Sequence, residues 1–308
     1  MIYSKKELLS FKIMLIVVFV LTNLFFTCEA KNSYQPNDIT TTKIDLSARF
    51  EHIAFNVPDP SAMAKWYTDN LGMKMMRGSF APNASAFLAD SGMHMMMEIL
   101  HNIDYPVFES AKIHYTSIHL AFVTSNIIKT QEQLVGAGAT VADSLRKTTS
   151  GDLVMTLRDP WGLPIQFVER VKPMLEFSGL YPEHFAINVA DSREISKWFV
   201  KNLGMIVIHD GKAPAYGMFV ADAGKNMMFE LYQNKDIPMV NFDSVSYQTF
   251  HVAFVVHGIQ TVKDALVATG AKIAEDMKKT LNGDDVLMLR TPWGLPIQLV
   301  KRVDPMLK

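Results

Sequence analysis

Cysteine is almost missing from this chain of 308 residues: the single thiol is Cys28, inside the first thirty residues. Everything after it must therefore fold without a disulfide, and the cysteine count leaves the redox compartment unread. Charge of either sign in excess is missing too. Thirty Lys and Arg face thirty-one Asp and Glu, for a net charge of −1. There is no basic footprint for nucleic acid and no polyanionic tail. Glycine-rich phosphate loops are absent as well. Gly136-Ala137-Gly138 lacks a following glycine and a strand before it, and it reads as a helix end. What remains is 49% hydrophobic and 20% charged, the composition of a globular protein with ample core material. Its twenty methionines read as adaptable core filler.

The one long apolar run, Ile13 to Phe26, follows Lys5, Lys6 and Lys12 and precedes Cys28-Glu29-Ala30. Small residues at the −3 and −1 positions of a cut after Ala30 make residues 1–30 a secretory signal, too short for a comfortable membrane span, so the protein is expected to be exported. Two alternatives stay open: lipidation at Cys28, although Phe25-Phe26-Thr27 matches the usual small-residue box poorly, and an uncleaved anchor. Residues 31–47 are polar, with a Thr40-Thr41-Thr42 run, and read as a tether. Asn83-Ala84-Ser85 is a glycosylation sequon that matters only in a eukaryote.

The rest of the chain is written twice. Pro160-Trp161-Gly162-Leu163-Pro164-Ile165-Gln166 returns as Pro292-Trp293-Gly294-Leu295-Pro296-Ile297-Gln298, 132 residues on. His52 and His184, Gly72 and Gly204, Glu98 and Glu230, and His119 and His251 share that offset. The chain is a duplication, with a first module over residues 48–175, a short linker, and a second over 181–308.

Each module repeats a smaller pattern. Arg49 to Val57 alternates like a strand, Ser61 to Leu71 reads as a helix capped by Ser61 and stopped by Gly72, and strands follow at Met73–Arg77, Ala84–Ala89 and Met93–Leu100. The second half has a strand at Thr116–Thr124, a helix at Ile127–Gly136, and strands at Thr140–Ala142, Asp152–Arg158 and Leu163–Glu169. The class is α+β, with two βαβββ units per module, and the short linker implies that the modules pack on each other.

His52 to Asp59, Trp66-Tyr67, Asn70 to Met73 and Asp159-Pro160-Trp161-Gly162 together resemble the vicinal oxygen chelate superfamily, which includes glyoxalase I, extradiol dioxygenases and bleomycin-resistance proteins. The second module repeats these features and departs at Thr291, where the turn Asp is lost. The resemblance implies eight-stranded open cups, with metal ligands on the first and last strands of each βαβββ unit. Those places hold His52, Glu98, His119 and Gln166, and His184, Glu230, His251 and Gln298. Strand alternation supports this independently, because each candidate is in register with its inward neighbours. A carboxylate in mid-strand, as in Met-Met-Met-Glu-Ile-Leu, is costly to bury unpaired, and a divalent cation offsets that cost.

A lone histidine in an apolar strand is usually a core residue; eight residues at matched offsets point to ligation. Two imidazoles, a carboxylate and an amide oxygen suit Fe, Mn, Ni, Co or Zn. The family leaves two pairings open: each module closing its own cup, or half-modules exchanging, so that His52/Glu98 meet His251/Gln298 and His184/Glu230 meet His119/Gln166. The expected function is that of a metal-dependent lyase, isomerase or dioxygenase on a small oxygen-rich molecule. Glu98 and Glu230 are its only candidate bases, because Gln166 and Gln298 cannot take a proton. The alternative is a metal-free protein that sequesters a ligand, similar to bleomycin-resistance proteins. Lys147-Thr148, Lys279-Thr280, Arg158 and Arg290 recur and read either as a rim for an anionic substrate or as solvated strand ends. Trp161 and Trp293 read as core covers.

Overall fold

The computed structural model describes residues 47–307; the stretch read as a secretory signal and nearly all of that read as a tether lie outside them. Among the described residues no helix is long and apolar enough to cross a membrane.

The first half-module runs β1 (Ala48–Asn56), α1 (Pro60–Leu71), β2 (Lys74–Gly78), β3 (Ala86–Ala89) and β4 (Met96–Leu100). The second runs β5 (Ile118–Val123), α2 (Ile127–Gly136), β6 (Thr140–Lys147), β7 (Leu153–Arg158) and β8 (Pro164–Glu169). The copy supplies β9 (Tyr181–Asn188), α3 (Ser192–Leu203), β10 (Ile206–Asp210), β11 (Met218–Ala221) and β12 (Met228–Tyr232). It ends with β13 (Phe250–Val256), α4 (Ile259–Ala268), β14 (Lys272–Lys279), β15 (Asp285–Arg290) and β16 (Pro296–Lys301).

Two expectations need correction. Asp59, not Ser61, caps α1: its carboxylate accepts from the Ala62 amide at 2.9 Å, and Pro60 takes the first turn, where no amide proton is needed. The Ser61 hydroxyl donates instead to the Phe80 carbonyl. Strand β6 extends five residues past Ala142, because its exposed side chains and two register shifts against β7 break the alternation that marks a half-buried strand. The stops read from the sequence hold. Gly72 and Gly204 close α1 and α3 in the left-handed conformation, at φ +66° and +63°.

The strands form two eight-stranded sheets, ordered β14-β15-β16-β13-β1-β4-β3-β2 and β10-β11-β12-β9-β5-β8-β7-β6. Each sheet joins a half of one module to a half of the other. At the seams, β1 runs antiparallel to β13 and β5 antiparallel to β9. Of the two arrangements left open by the sequence, the strands adopt the exchanged one.

Alternation then divides the faces. Ile53 and Phe55 in β1 and Phe250, Val252 and Phe254 in β13 point into one continuous core with Phe185 and Phe229 of the other sheet. Phe50 meets Phe254 and Phe229 edge-on, with centroids at 5.5 and 5.6 Å. Residues one step out of phase, among them His52, Ala54, Glu98 and His251, occupy the opposite face. The fold thereby places its polar inventory in two clusters, one per sheet.

Candidate metal centres

In the first sheet Ala54 is the Cα partner of both Glu98 on β4 and His251 on β13, and this sets the carboxylate and the imidazole on either side of β1. His52 lies one pleat away. Its Nε2 is 3.1 Å from Glu98 Oε2 and 3.3 Å from His251 Nε2, and His251 Nε2 is 3.5 Å from the same carboxylate oxygen. The second sheet repeats the cluster. His184 Nε2 and His119 Nε2 lie 3.2 and 3.7 Å from Glu230 Oε2. Within each trio all three ligand atoms are within 4.8 Å of one another. A metal–donor distance of about 2.1 Å puts neighbouring donors roughly 3.0–3.4 Å apart, close to these spacings.

The other nitrogen of each ring decides what faces the centre. His251 Nδ1 donates to the Tyr247 carbonyl at 2.8 Å and His119 Nδ1 to the Tyr115 carbonyl at 3.1 Å. His52 Nδ1 donates to Glu51 and His184 Nδ1 to Glu183, both at 2.9 Å. With protons fixed on the Nδ1 atoms, the Nε2 atoms of neutral rings turn lone pairs toward each other and toward a carboxylate. Such a set repels itself unless a proton or a metal ion joins it. In the second cluster the Nε2 atoms of His119 and His184 are buried without any hydrogen-bond partner. The donor set therefore fits a divalent ion.

Glu51 and Glu183 escaped the sequence reading because simple alternation turns a residue next to a ligand toward the opposite face. The β1–β13 register slips between Phe50 and His52, and the β5–β9 register slips opposite Glu183. Each bulge swings the extra residue toward the ligand imidazole. Behind the carboxylates stand buried cations. Arg302 binds Glu51 through two nitrogens, at 2.8 and 2.6 Å, and Asp284 at 2.9 Å. Arg170 does the same with Glu183 and Asp152. Glu51 and Glu183, Asp152 and Asp284, and Arg170 and Arg302 all recur at 132, the sequence signal that could have found them.

Burial by itself raises a carboxylate pKa, yet the hydrogen bonds from His52 and Arg302 hold Glu51 down at about 2. Burial likewise works against Glu98 and Glu230, and the two imidazoles facing each of them hold both well below the usual carboxylate range. Burial would depress His52 and His184; Glu51 with Glu98, and Glu183 with Glu230, outweigh it and raise both. His119 is depressed, burial being the leading cause.

The glutamines lie on the same face. Gln298 pairs with Ala253, the partner of His52, and Gln166 with Ala121, the partner of His184. Neither amide makes a side-chain hydrogen bond among the described residues. The recurring arginines belong to scaffolding. Arg158 donates to the carbonyls of Ser110, Gly162 and Ile113, and Arg290 to those of Phe242, Gly294 and Val245. Their guanidiniums are thus spent on loop backbone rather than on an anion. Trp161 and Trp293 pack against the core and against Trp66 and Trp198.

Paired eight-stranded sheets built from exchanged βαβββ halves, each with a His-Glu-His cluster at its seam, define a tandem glyoxalase-like protein. The chain belongs to the Glyoxalase/Bleomycin resistance protein/Dioxygenase superfamily, whose family model matches residues 49–167 and 182–299. Among characterised proteins it is similar to lactoylglutathione lyase GLX1 of Arabidopsis thaliana, with 25% identity over 61% of this chain and 68% of the relative. A probable chloroplastic lactoylglutathione lyase of the same plant is 25% identical over 64% of this chain, which spans 55% of that relative's length. Among solved structures, glyoxalase I from Zea mays superposes with a TM-score of 0.65 at 20% identity, over 83% of this chain and 92% of that one. A Bacillus subtilis putative dioxygenase gives 0.58 at 11% identity, over 84% and 87%. At these identities the structures attest the fold.

Proposed function

We propose that the protein is a metal-dependent lyase or isomerase with two centres, His52/Glu98/His251/Gln298 and His184/Glu230/His119/Gln166, acting on a small molecule with two adjacent oxygens. The observation that carries this reading is the convergence, twice, of imidazole Nε2 atoms and a buried carboxylate oxygen on one point, with every Nδ1 proton turned away. A divalent ion held there supplies Lewis acidity toward the substrate oxygens.

The chain's own groups then have distinct tasks. Glu51 and Glu183 hold the His52 and His184 rings in orientation, and the Arg302 and Arg170 guanidiniums keep those carboxylates ionised. Glu98 and Glu230 are the groups in each cluster that can take and return a proton at carbon, the step that lyase chemistry like that named for the Arabidopsis relatives requires. Gln166 and Gln298 are amides and cannot take up a proton as a base, so the carboxylate serves as ligand and base in turn. Phe87 and Phe219, edge-on to His52 and His184 with centroids at 5.3 Å, flank the imidazoles with apolar surface.

The test is metal content per chain, by plasma mass spectrometry on protein purified without chelator. Near two equivalents are expected for the natural sequence, near one for Glu98→Gln, and none when Glu230→Gln is added, with turnover of small dicarbonyl or 2-oxo acid substrates falling in parallel. Normal metal content in the double variant would sink the ligand assignment. No metal even after reconstitution would favour a ligand-sequestering protein.

A further inference from the structure

The two centres share their ligands but not their surroundings. On β12, Tyr232 follows Glu230 by two residues on the same face and pairs with Asn188; its counterpart on β4, paired with Asn56, is Leu100. On the other flank Thr156 is the direct cross-strand neighbour of Gln166, whereas Met288 is the neighbour of Gln298. One quartet is therefore bracketed by two hydroxyls and the other by two hydrocarbon or thioether side chains. These are drifted positions in a duplication that kept every ligand.

The Tyr232 hydroxyl is buried and makes no hydrogen bond of good geometry, although the Thr116 hydroxyl lies nearby. Leaving such a group unmatched costs on the order of 1–3 kcal/mol, and Leu100 shows that the fold accepts an apolar residue at the equivalent place. Thr156 is 2% exposed, beside an amide that also lacks a side-chain hydrogen bond. Around the second quartet the orphaned hydrogen-bonding groups thus stand on both flanks.

Building on the reading above, we infer that the two centres select different substrates. The Tyr232/Thr156 centre takes a vicinal-oxygen compound bearing a further hydroxyl or carboxylate on its substituent. The Leu100/Met288 centre takes one whose substituent is a hydrocarbon or thioether. Tyr232 and Thr156 act as specificity residues, donating to or accepting from that extra polar group, and a site built to hydrogen-bond such a group rejects an analogue lacking it far more strongly than an apolar pocket rejects a missing methylene.

The experiment uses the metal-loaded full chain and two hydroxamates that present the same pair of oxygens, hexanohydroxamate and 2,3-dihydroxypropanohydroxamate, titrated calorimetrically. Two classes of site are expected, each preferring one probe by about tenfold or more. Tyr232→Phe with Thr156→Val should weaken the dihydroxy probe at its preferred site at least tenfold and leave tight binding of the hexanoyl probe at the other. Leu100→Tyr with Met288→Thr should create a second tight site for the dihydroxy probe. Equal binding of each probe at both centres, unmoved by either pair of substitutions, overturns this inference alone. No binding of either probe to the metal-loaded chain overturns it together with the vicinal-oxygen reading.

Discussion

The Glu51 carboxylate accepts a hydrogen bond from Nδ1 of His52, its immediate chain neighbour, at 2.9 Å. Adjacent strand residues ordinarily point to opposite faces, so the contact exists only because of the β1 bulge. Outer partners of this kind orient a ligand ring, and their loss typically lowers metal affinity by roughly 10–100-fold. Glu51→Gln is expected to weaken one centre by that factor and spare the other, as read by competition with a graded chelator. Unchanged affinity would reduce Glu51 to a counter-ion for Arg302.

The same carboxylate predicts a response to acid. Glu51 ionises at about 2 in the fold against an ordinary 4.5, so its contribution is fully present above pH 4.5 and is lost as pH falls toward 2. The shift corresponds to about 3 kcal/mol. Urea unfolding of the wild type at pH 6 and pH 3 should show a loss that includes about 2 kcal/mol of this amount, the rest going only as pH approaches 2, and Glu51→Gln should lose correspondingly less over the interval.

Asp159 carries the opposite sign. Burial pushes its carboxyl up to about 6, only partly countered by the backbone amides of Trp161 and Leu163 and the Tyr67 hydroxyl. A raised acid favours the fold while protonated, and its cost appears as pH climbs from about 4 to 6. The stability of Asp159→Asn relative to wild type should therefore rise by about 3 kcal/mol across that window. A flat difference between the two denaturation profiles would refute the assignment.

Gly162 and Gly138 both have positive φ, +86° and +96°, but differ in what surrounds them. A Cβ on Gly162 would sit 2.5 Å from Ala111 Cβ and 2.7 Å from its Cα, whereas one on Gly138 would meet nothing nearer than Pro160 Cγ at 3.6 Å. Gly138→Ala should cost about 1–2 kcal/mol from backbone conformation, and Gly162→Ala appreciably more. Thermal melts of the two variants compare them directly; similar losses would contradict the packing argument.

Much of this was legible in the sequence, for identifiable reasons. Ile127–Gly136 reads as a helix because its apolar spacing and its stop agree, and the structure gives those bounds. The strands that carry the candidate ligands stood out because duplication filtered them, keeping His, Glu and Gln in step at 132. Their partnership was not legible, since half-modules of the same pattern carry no local mark of which half they join. Glu51 and Glu183 were hidden for a different reason: a bulge reverses the face that alternation assigns, and no local residue type announces it. Asp59 outcompeted Ser61 as a cap because Pro60 already fits the first helical turn.

The strand exchange also fixes an order of assembly on the ribosome. The second sheet draws all its strands from one uninterrupted stretch, residues 118 to 232, so it can close while the chain is still being made. The first sheet cannot. Strand β1 precedes every other described element, but its seam partner β13 ends at Val256 and the outermost strands follow only by Lys301. While the second sheet is being made β1 therefore waits with one edge unpaired, a template for mispairing with another nascent copy, and its natural completion comes from strands translated after that whole sheet.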